Sequence, residues 1–516
     1  MLDVFEDYCA GALALGPLFA GGPRGALEVR PRAASWPEGL AEALVRYNAS
    51  LGKSVTLRGD EAVVVTGQQP GVLTGPLYTI YKAITAIRLA HAIEKRHGVP
   101  CVPVFWVAGD DHDFAEARAT WILTRDYRPW PFVYEPEAAV EGRPMRRVPL
   151  AASLHGLVDE AARQARGSEL SREVRTFLHD SLSDSATIEA WFARVMARLF
   201  GNTPLVLFAP HIPEARYAAR AVIQREIVDP LVTTRRVNAG GAALTQLGYA
   251  PQIVKGDDEC GFFLEMGERR RKVLYDGRRY VIPEESMTCS VDEMLAFLDS
   301  APERFSPNVA LRCVVQQALF PAVAYVAGPG EVAYWAQLKP LFGDFGFDMP
   351  FVYPRARGVL TPTKIAKLLD KFSLQTRDLD EGREAVVRHA LRAIVRNPAR
   401  EALERRRPEV EGAVEALARD LADTSAPAAE MADRLIQRVR DGLDRIEQST
   451  LEADAVQADA VTEQVRRVCD ALAPFGKPQE RVYTVFSFLF EHGFSLIGRL
   501  AEELDVESFQ GNEVVL

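Results

Sequence analysis

The sequence predicts an α/β protein: an open, largely parallel sheet broken by insertions, followed by a C-terminal α-helical coiled-coil hairpin. Three observations predict it. Short apolar runs recur through the first two thirds, each ending abruptly in a polar or glycine-rich segment, as strands buried on both faces do. Residues 62–112 read as a complete βαβ unit. After about residue 356 the chain turns rich in Ala, Glu, Asp, Arg and Leu, with apolar residues spaced 4-3-4.

In chain order, Ala62–Thr66 is a short apolar strand running into Gly67-Gln-Gln-Pro-Gly-Val-Leu-Thr-Gly75, a segment full of turn residues. A helix follows. Thr74 or Gly75 is the expected cap and Pro76 suits the first turn. Leu77, Ile80, Tyr81, Ile84 and Ile87 share one face, and His97-Gly98 ends the helix. Val102–Ala108 is a second buried strand, stopping at Gly109-Asp-Asp-His-Asp113. Leu205–Phe208 before His211, and Ala322–Val326 before Gly328-Pro-Gly-Glu331, are two more, the last followed by a helix over 332–338. Pro251–Gly261 and Arg269–Tyr280 carry hairpin-like turn chemistry.

The layout expected from these signals has three core parts, 1–120, 201–250 and 301–355. Insertions at 121–200 and 251–300 separate them. An arm spans 356–475 and a helical segment spans 476–516. In the arm, Val410, Val414, Leu417 and Leu421 form one stripe. Ala432, Leu435, Val439, Leu443 and Ile446 form another, and Val461, Val465, Val468 and Leu472 a third. Ser425-Ala-Pro427 separates two antiparallel runs. The second, about 44 residues at ~1.5 Å each, would extend roughly 65 Å. A two-helix hairpin of that length rarely buries its stripes without a third surface; the plain alternative is a hairpin packed on the body of its own chain, and homodimerisation is expected.

Composition excludes several function classes. At 516 residues the chain exceeds one ordinary core. A net charge of −10 disfavours broad nucleic-acid binding, which relies on phosphate neutralisation. The start carries Asp3, Glu6 and Asp7 where a signal peptide needs basic residues, and the apolar run 482–497 is interrupted by Glu491 and His492. No membrane span and a cytoplasmic location are expected. Six scattered cysteines without a CxxC pair point to reduced, buried thiols.

Ligands of open α/β sheets bind beyond the carboxyl ends of the strands, and the polar segments here all follow predicted strands. Gly67, Gln68, Gln69, Thr74 and Gly75 offer backbone and side-chain donors, although the spacing is neither Walker A nor GxGxxG. Asp110, Asp111, His112 and Asp113 are the densest polar cluster at a strand end. His112 suits a general base oriented by a carboxylate, and the carboxylates suit Mg²⁺. The bland alternative has Asp113 capping a helix with Glu116 in its first turn. No second ligand motif accompanies the cluster, so a permanent metal site is not expected. Asn308 and Arg312 are candidates for holding a carboxylate, with an Arg ion-paired in the core edge as the alternative. Gly328, Gly330 and Glu331 open the last predicted helix.

At these residues the sequence closely resembles the bacillithiol-biosynthesis cysteine ligases of the BshC family. The matching segments are 66–82 (Thr-Gly-Gln-Gln-Pro-Gly through Ile-Tyr-Lys), 104–114 (Val-Phe-Trp-Val-Ala-Gly-Asp-Asp-His-Asp-Phe), 305–312, 324–339 and 474–481 (Pro-Phe-Gly-Lys-Pro-Gln-Glu-Arg). The resemblance implies a Rossmann-like core similar to class I nucleotidyltransferases and aminoacyl-tRNA synthetases, two inserted connecting subdomains, and a coiled-coil dimer arm. It also implies the last step in making a low-molecular-weight thiol: the amine of L-cysteine joined to the malyl carboxylate of glucosaminyl-malate. Neither the His-x-Gly-His nor the Lys-Met-Ser-Lys-Ser signature of the synthetases occurs. ATP with Mg²⁺ is the expected cosubstrate, because forming an amide from a free carboxylate is uphill. The alternatives are a metal-dependent phosphoesterase built on Asp110–Asp113, or a non-catalytic nucleotide-binding coiled-coil scaffold.

Overall fold

The computed structural model describes residues 2–32, 34–394, 398–422, 425–452 and 455–516. It divides into two compact units. The first comprises Met1–Arg125, Trp130–Val359 and Glu480–Val514; the second comprises Asp126–Pro129, Leu360–Gln479 and Val515–Leu516.

The first unit is built on a five-stranded parallel sheet. Its strands are β1 (Ala62–Gln68), β2 (Cys101–Val107), β3 (Val206–Phe208), β4 (Ala322–Ala327) and β5 (Phe351–Pro354), in the spatial order β5-β4-β1-β2-β3. Register runs Ala62↔Cys101 through Gln68↔Val107 on one side of β1, and Val65↔Tyr325 on the other. The chain therefore moves outward from β1 through β2 and β3, then returns to β1's other edge with β4 and β5. That places a topological switch point at the carboxyl ends of β1 and β4, where a crevice opens. β1 through β4 match the expected strands. β5 went unread, being four residues long with a terminal proline.

Val63, Val64, Val65 and Val104 are fully buried between covering layers, which is why these strands read as continuous apolar runs. Helix α1 (Tyr78–His97) covers one face with Ala86, Leu89, Ala90 and Ile93. It ends as expected: Gly98 takes φ +64 and its N–H caps Glu94 O at 2.9 Å. Its start differs from expectation. Neither Thr74 nor Gly75 caps it; the helix begins at Tyr78 after Leu77, without a side-chain cap. Leu73 and Thr74 instead adopt positive φ (+49 and +66), ending a short 3₁₀ turn.

Residues 153–199 contribute three helices, and a second, antiparallel sheet runs in the order 305–307, 259–266, 269–275, 280–282, 287–289. The hairpin in the 251–280 region joins Glu259–Met266 to Arg269–Tyr275. Residues 480–514 belong to the first unit.

The second unit is helical: α5 (Thr363–Phe372), α6 (Arg383–Ile394), α7 (Pro398–Ala422), α8 (Ala426–Glu452) and α9 (Ala455–Leu472). Arg407 pairs with Asp444 at 2.9 Å and Arg440 with Glu415 at 2.7 Å, fixing α7 and α8 as an antiparallel hairpin. Val461, Val465, Val468 and Leu472 are buried, with α9 packed against α5 and α6. The third stripe is therefore satisfied near the base of the arm, not along α7. The expected continuity of the second arm through 453–454 lies outside the described residues.

Among the described residues no helix is long and apolar enough to cross a membrane. All six cysteines are free and five are buried.

Candidate functional site

A cavity of about 440 Å³ opens at the β1/β4 switch point. β1 and its following turn supply Gly67, Gln68 and Gln69; the β2 end supplies Trp106, Ala108 and Asp111. Helix α1 contributes Tyr78 and Lys82. From the β4 side come Tyr325 and the start of α4 (Pro329–Trp335), with Gly328, Gly330 and Glu331. Gly67 is required by close approach: a Cβ there would stand 2.7 Å from Trp106 O.

Lys82 organises the floor. It is 4 % exposed, and its three donors are used by Gly67 O (2.9 Å), Gln68 Oε1 (3.0 Å) and Glu331 Oε2 (2.6 Å). Glu331 also accepts from Tyr325 OH at 2.6 Å and from the Gly328 N–H at 2.7 Å. Burial alone would raise the Glu331 carboxyl, but Lys82 and these donors hold it below the usual range; burial lowers Lys82.

Arg312, on α3 (Leu311–Leu319), reaches the cavity over the rings of Trp106 (5.8 Å) and Tyr325 (5.4 Å). Its guanidinium donates to Tyr334 OH at 3.1 Å and Gln316 Oε1 at 3.3 Å, and among the described residues no carboxylate pairs with it. Arg355 also lines the cavity but is spent on Glu480 at 2.6 Å. Arg481 stands exposed at the edge, as does Glu116, whose carboxyl is raised by partial burial and by the neighbouring Asp113 and Asp111.

Eight of the fourteen sequence candidates therefore line one cavity: Gly67, Gln68, Gln69 and Asp111, together with Arg312, Gly328, Gly330 and Glu331. The other six lie elsewhere. Asp110 is buried and accepts from Arg146 Nε at 3.2 Å and from Arg216, while Arg146 and Arg147 pair with Glu265. Burial would raise Asp110, but Arg216, Arg146 and Arg270 outweigh it and hold the carboxyl at about 2. His112 packs on Phe263 with Nδ1 3.3 Å from Arg270 Nη1; burial and that cation lower it, so it is neutral near pH 7. Asp113 caps the short helix α2 (Phe114–Ala117), accepting from Glu116 N at 3.1 Å. Asn308 is buried and accepts from Ala310 N and Leu311 N at 3.0 Å, capping α3. Thr74 is buried behind the turn, and Gly75 (φ +67) faces an adjoining chamber.

Sequence reasoning had missed Tyr78, Lys82, Glu116, Tyr334, Arg355 and Arg481 as lining residues. Lys82 and Arg481 do end two of the distinctive segments, 66–82 and 474–481.

Comparison with known proteins agrees with the architecture. The family model described as "Bacillithiol biosynthesis BshC, N-terminal Rossmann-like domain" matches residues 21–356, and "Bacillithiol biosynthesis BshC, C-terminal coiled-coil domain" matches 358–514. A protein named "Putative cysteine ligase BshC" from Salinibacter ruber is 31% identical, covering 98% of this chain and 95% of its own length. Namesakes from Geobacillus thermodenitrificans and Heliobacterium modesticaldum are each 33% identical, over 90% and 85% of this chain and 87% and 80% of theirs. A Rossmann-like core with its crevice at the β1/β4 switch, a C-terminal coiled coil, and similarity over nearly the whole length place this chain in the BshC family of bacillithiol biosynthesis.

Proposed function

We propose that this protein is a cysteine ligase that joins the amine of L-cysteine to the malyl carboxylate of glucosaminyl-malate, completing bacillithiol. The observation that carries this reading is the charge layout of the switch-point cavity. Arg312, lacking a carboxylate partner among the described residues, faces the same space as Asp111. A cation beside two aromatic rings suits a carboxylate-bearing substrate, which the planar guanidinium grips through paired donors.

Amide formation from a free carboxylate needs activation, and ATP supplies it by turning that carboxylate into a mixed anhydride with phosphate. The residues fit a transient nucleotide better than a resident ion. Among the described residues no three His, Cys, Asp or Glu side chains converge to hold a metal. The backbone at Gln69 and Gly330 would face the phosphates, and Asp111 would hold the Mg²⁺ that accompanies them. The phosphoesterase alternative requires the 110–113 carboxylates to converge. Asp110 is instead committed to two arginines and Asp113 to a helix cap.

The arm is proposed to join two copies. Val410, Leu417, Met431, Leu435 and Ile446 on α7 and α8 are 40–69% exposed, an apolar stripe that a second hairpin would bury.

The test incubates pure protein with glucosaminyl-malate, L-cysteine and ATP-Mg²⁺ and looks for bacillithiol by mass spectrometry. Formation of the thiol supports the ligase. No product under any nucleotide condition, or a deletion strain with normal bacillithiol content, overturns it.

A further inference from the structure

Beside the main cavity lies a smaller chamber of about 210 Å³. Gln68, Gln69, Tyr78, Glu116 and Arg481 line both spaces, so molecules bound in each would meet across this shared wall. The chamber's remaining walls come from the 71–76 turn, the strand start 119–121 and Val482.

These walls are held together at a conformational cost. Leu73, Thr74 and Gly75 take positive φ in succession (+49, +66 and +67). For the β-branched Thr74 this is an outlier of the kind that persists where surrounding structure demands it. Residues 483–484 impose it. Thr484 Oγ1 donates to Leu73 O at 2.6 Å, Leu77 N donates to Tyr483 O at 2.8 Å, and Thr484 N donates to Trp121 O at 3.1 Å.

The chamber's only charged lining groups are Glu116 and Arg481, one of each sign. Among the described residues neither side chain has a hydrogen bond or an ion pair of its own. The rest of the lining mixes the polar side chains of Gln68, Gln69 and Tyr78 with small or apolar residues such as Ala117, Ala119 and Val482. Thr120, also in the wall and 3% exposed, has a hydroxyl without a partner. A buried hydroxyl in that state is unfavourable, and a polar ligand would relieve it. Among the described residues, one unpaired cation, one unpaired anion and a mostly polar wall in this small space complement a small zwitterion.

We propose that the smaller chamber binds a free small α-amino acid, carboxylate on Arg481 and ammonium on Glu116, with its nitrogen at the wall shared with the cavity that Arg312 lines. The role of that nitrogen rests on the ligase reading; the binding itself does not.

The test is calorimetric titration of the full-length protein with L-cysteine, with cysteamine, which lacks the carboxylate, and with 3-mercaptopropionate, which lacks the ammonium. Each is run alone and with glucosaminyl-malate present. Arg481→Gln should weaken cysteine and 3-mercaptopropionate roughly tenfold or more and spare cysteamine; Glu116→Gln should do the reverse for the two analogues. Ala119→Phe, filling a wall that belongs to this chamber alone, should weaken all three, with thermal melts confirming that each variant is folded. Unchanged cysteine affinity in all three variants, or no cysteine binding to the wild type in either condition, overturns the proposal. This binding pattern without any bacillithiol formation would keep the pocket and reject the ligase. Bacillithiol formation with an unaltered KM for cysteine in the variants would do the opposite.

Discussion

Lys82 and Glu331 form a largely buried ion pair, Nζ to Oε2 at 2.6 Å, that ties the helix after β1 to the helix after β4. The two strands are neighbours in space, and this pair closes the crevice floor between them. Removing one partner strands a charge with its desolvation unpaid. Lys82→Met should therefore lower stability by about 3–5 kcal/mol in urea unfolding, and adding Glu331→Gln should recover part of the loss.

Arg312 is predicted to act on substrate, not on the fold. Arg312→Lys keeps a charge but loses the planar fork. It should raise KM for the carboxylate-bearing substrate by roughly 10–100-fold, while the melting temperature changes little. Steady-state kinetics beside thermal melts separate the two.

Asp110 should behave in the opposite way. It is held by Arg146 and Arg216 and does not line the switch-point cavity. Asp110→Asn should destabilise the protein by about 3–5 kcal/mol, leaving the buried Arg216 and the part-buried Arg146 undercompensated, whereas Asp111→Asn should lower activity with the fold intact. Comparing unfolding and turnover for the pair checks this. His112→Ala should retain activity within a few-fold, since the imidazole faces Phe263 and Arg270.

Glu226 makes stability depend on pH. Fully buried, its carboxylate accepts from Thr233 Oγ1 (2.6 Å), Thr233 N (3.2 Å) and Gly261 N (2.8 Å), yet burial outweighs these and raises it to about 7. In the unfolded chain it titrates near 4.3. The folded state thus holds the proton more tightly, so the contribution is complete below about pH 4 and is lost as pH rises through about 7. The unfolding free energy from urea titrations between about pH 5 and about pH 8 should fall by at most ~1.4 kcal/mol per pH unit from this group, and Glu226→Gln should flatten that slope.

The arm carries the association prediction. Leu417→Lys with Leu435→Lys charges two exposed stripe positions and should give a monomer in light scattering with the helix content preserved.

The sheet was legible because β1, β2 and β4 are buried on both faces and end in turn residues, a pattern written locally. β5 was too short, and the cap of α1 was misread because nothing in Leu73-Thr74 announces positive φ; residues 483–484 impose it from far along the chain. The site was half legible for the same reason. Gly67–Gln69 and Gly328–Glu331 follow strands directly, so proximity to a strand end sufficed. Arg355 follows β5 directly and was lost with that strand, while Arg481 arrives from a segment with no strand-end signal of its own. Asp110 misled because a dense polar run looks alike whether its partners are ligands or, as here, arginines 36 and 106 residues away.

The insertion of β4 beside β1 also sets a schedule. Thr66 Oγ1 donates to Val326 O 260 residues later, and Leu73 O waits for Thr484, 411 residues later. During synthesis the first βαβ unit emerges with one edge of its central strand unsatisfied, and it stays so until residues 322–327 have been made. Such a high contact order slows folding and leaves an open strand edge exposed to the wrong neighbour. Binding competence arrives last, with the segment around Arg481, so a ribosome-bound or truncated chain would hold a sheet but no finished crevice.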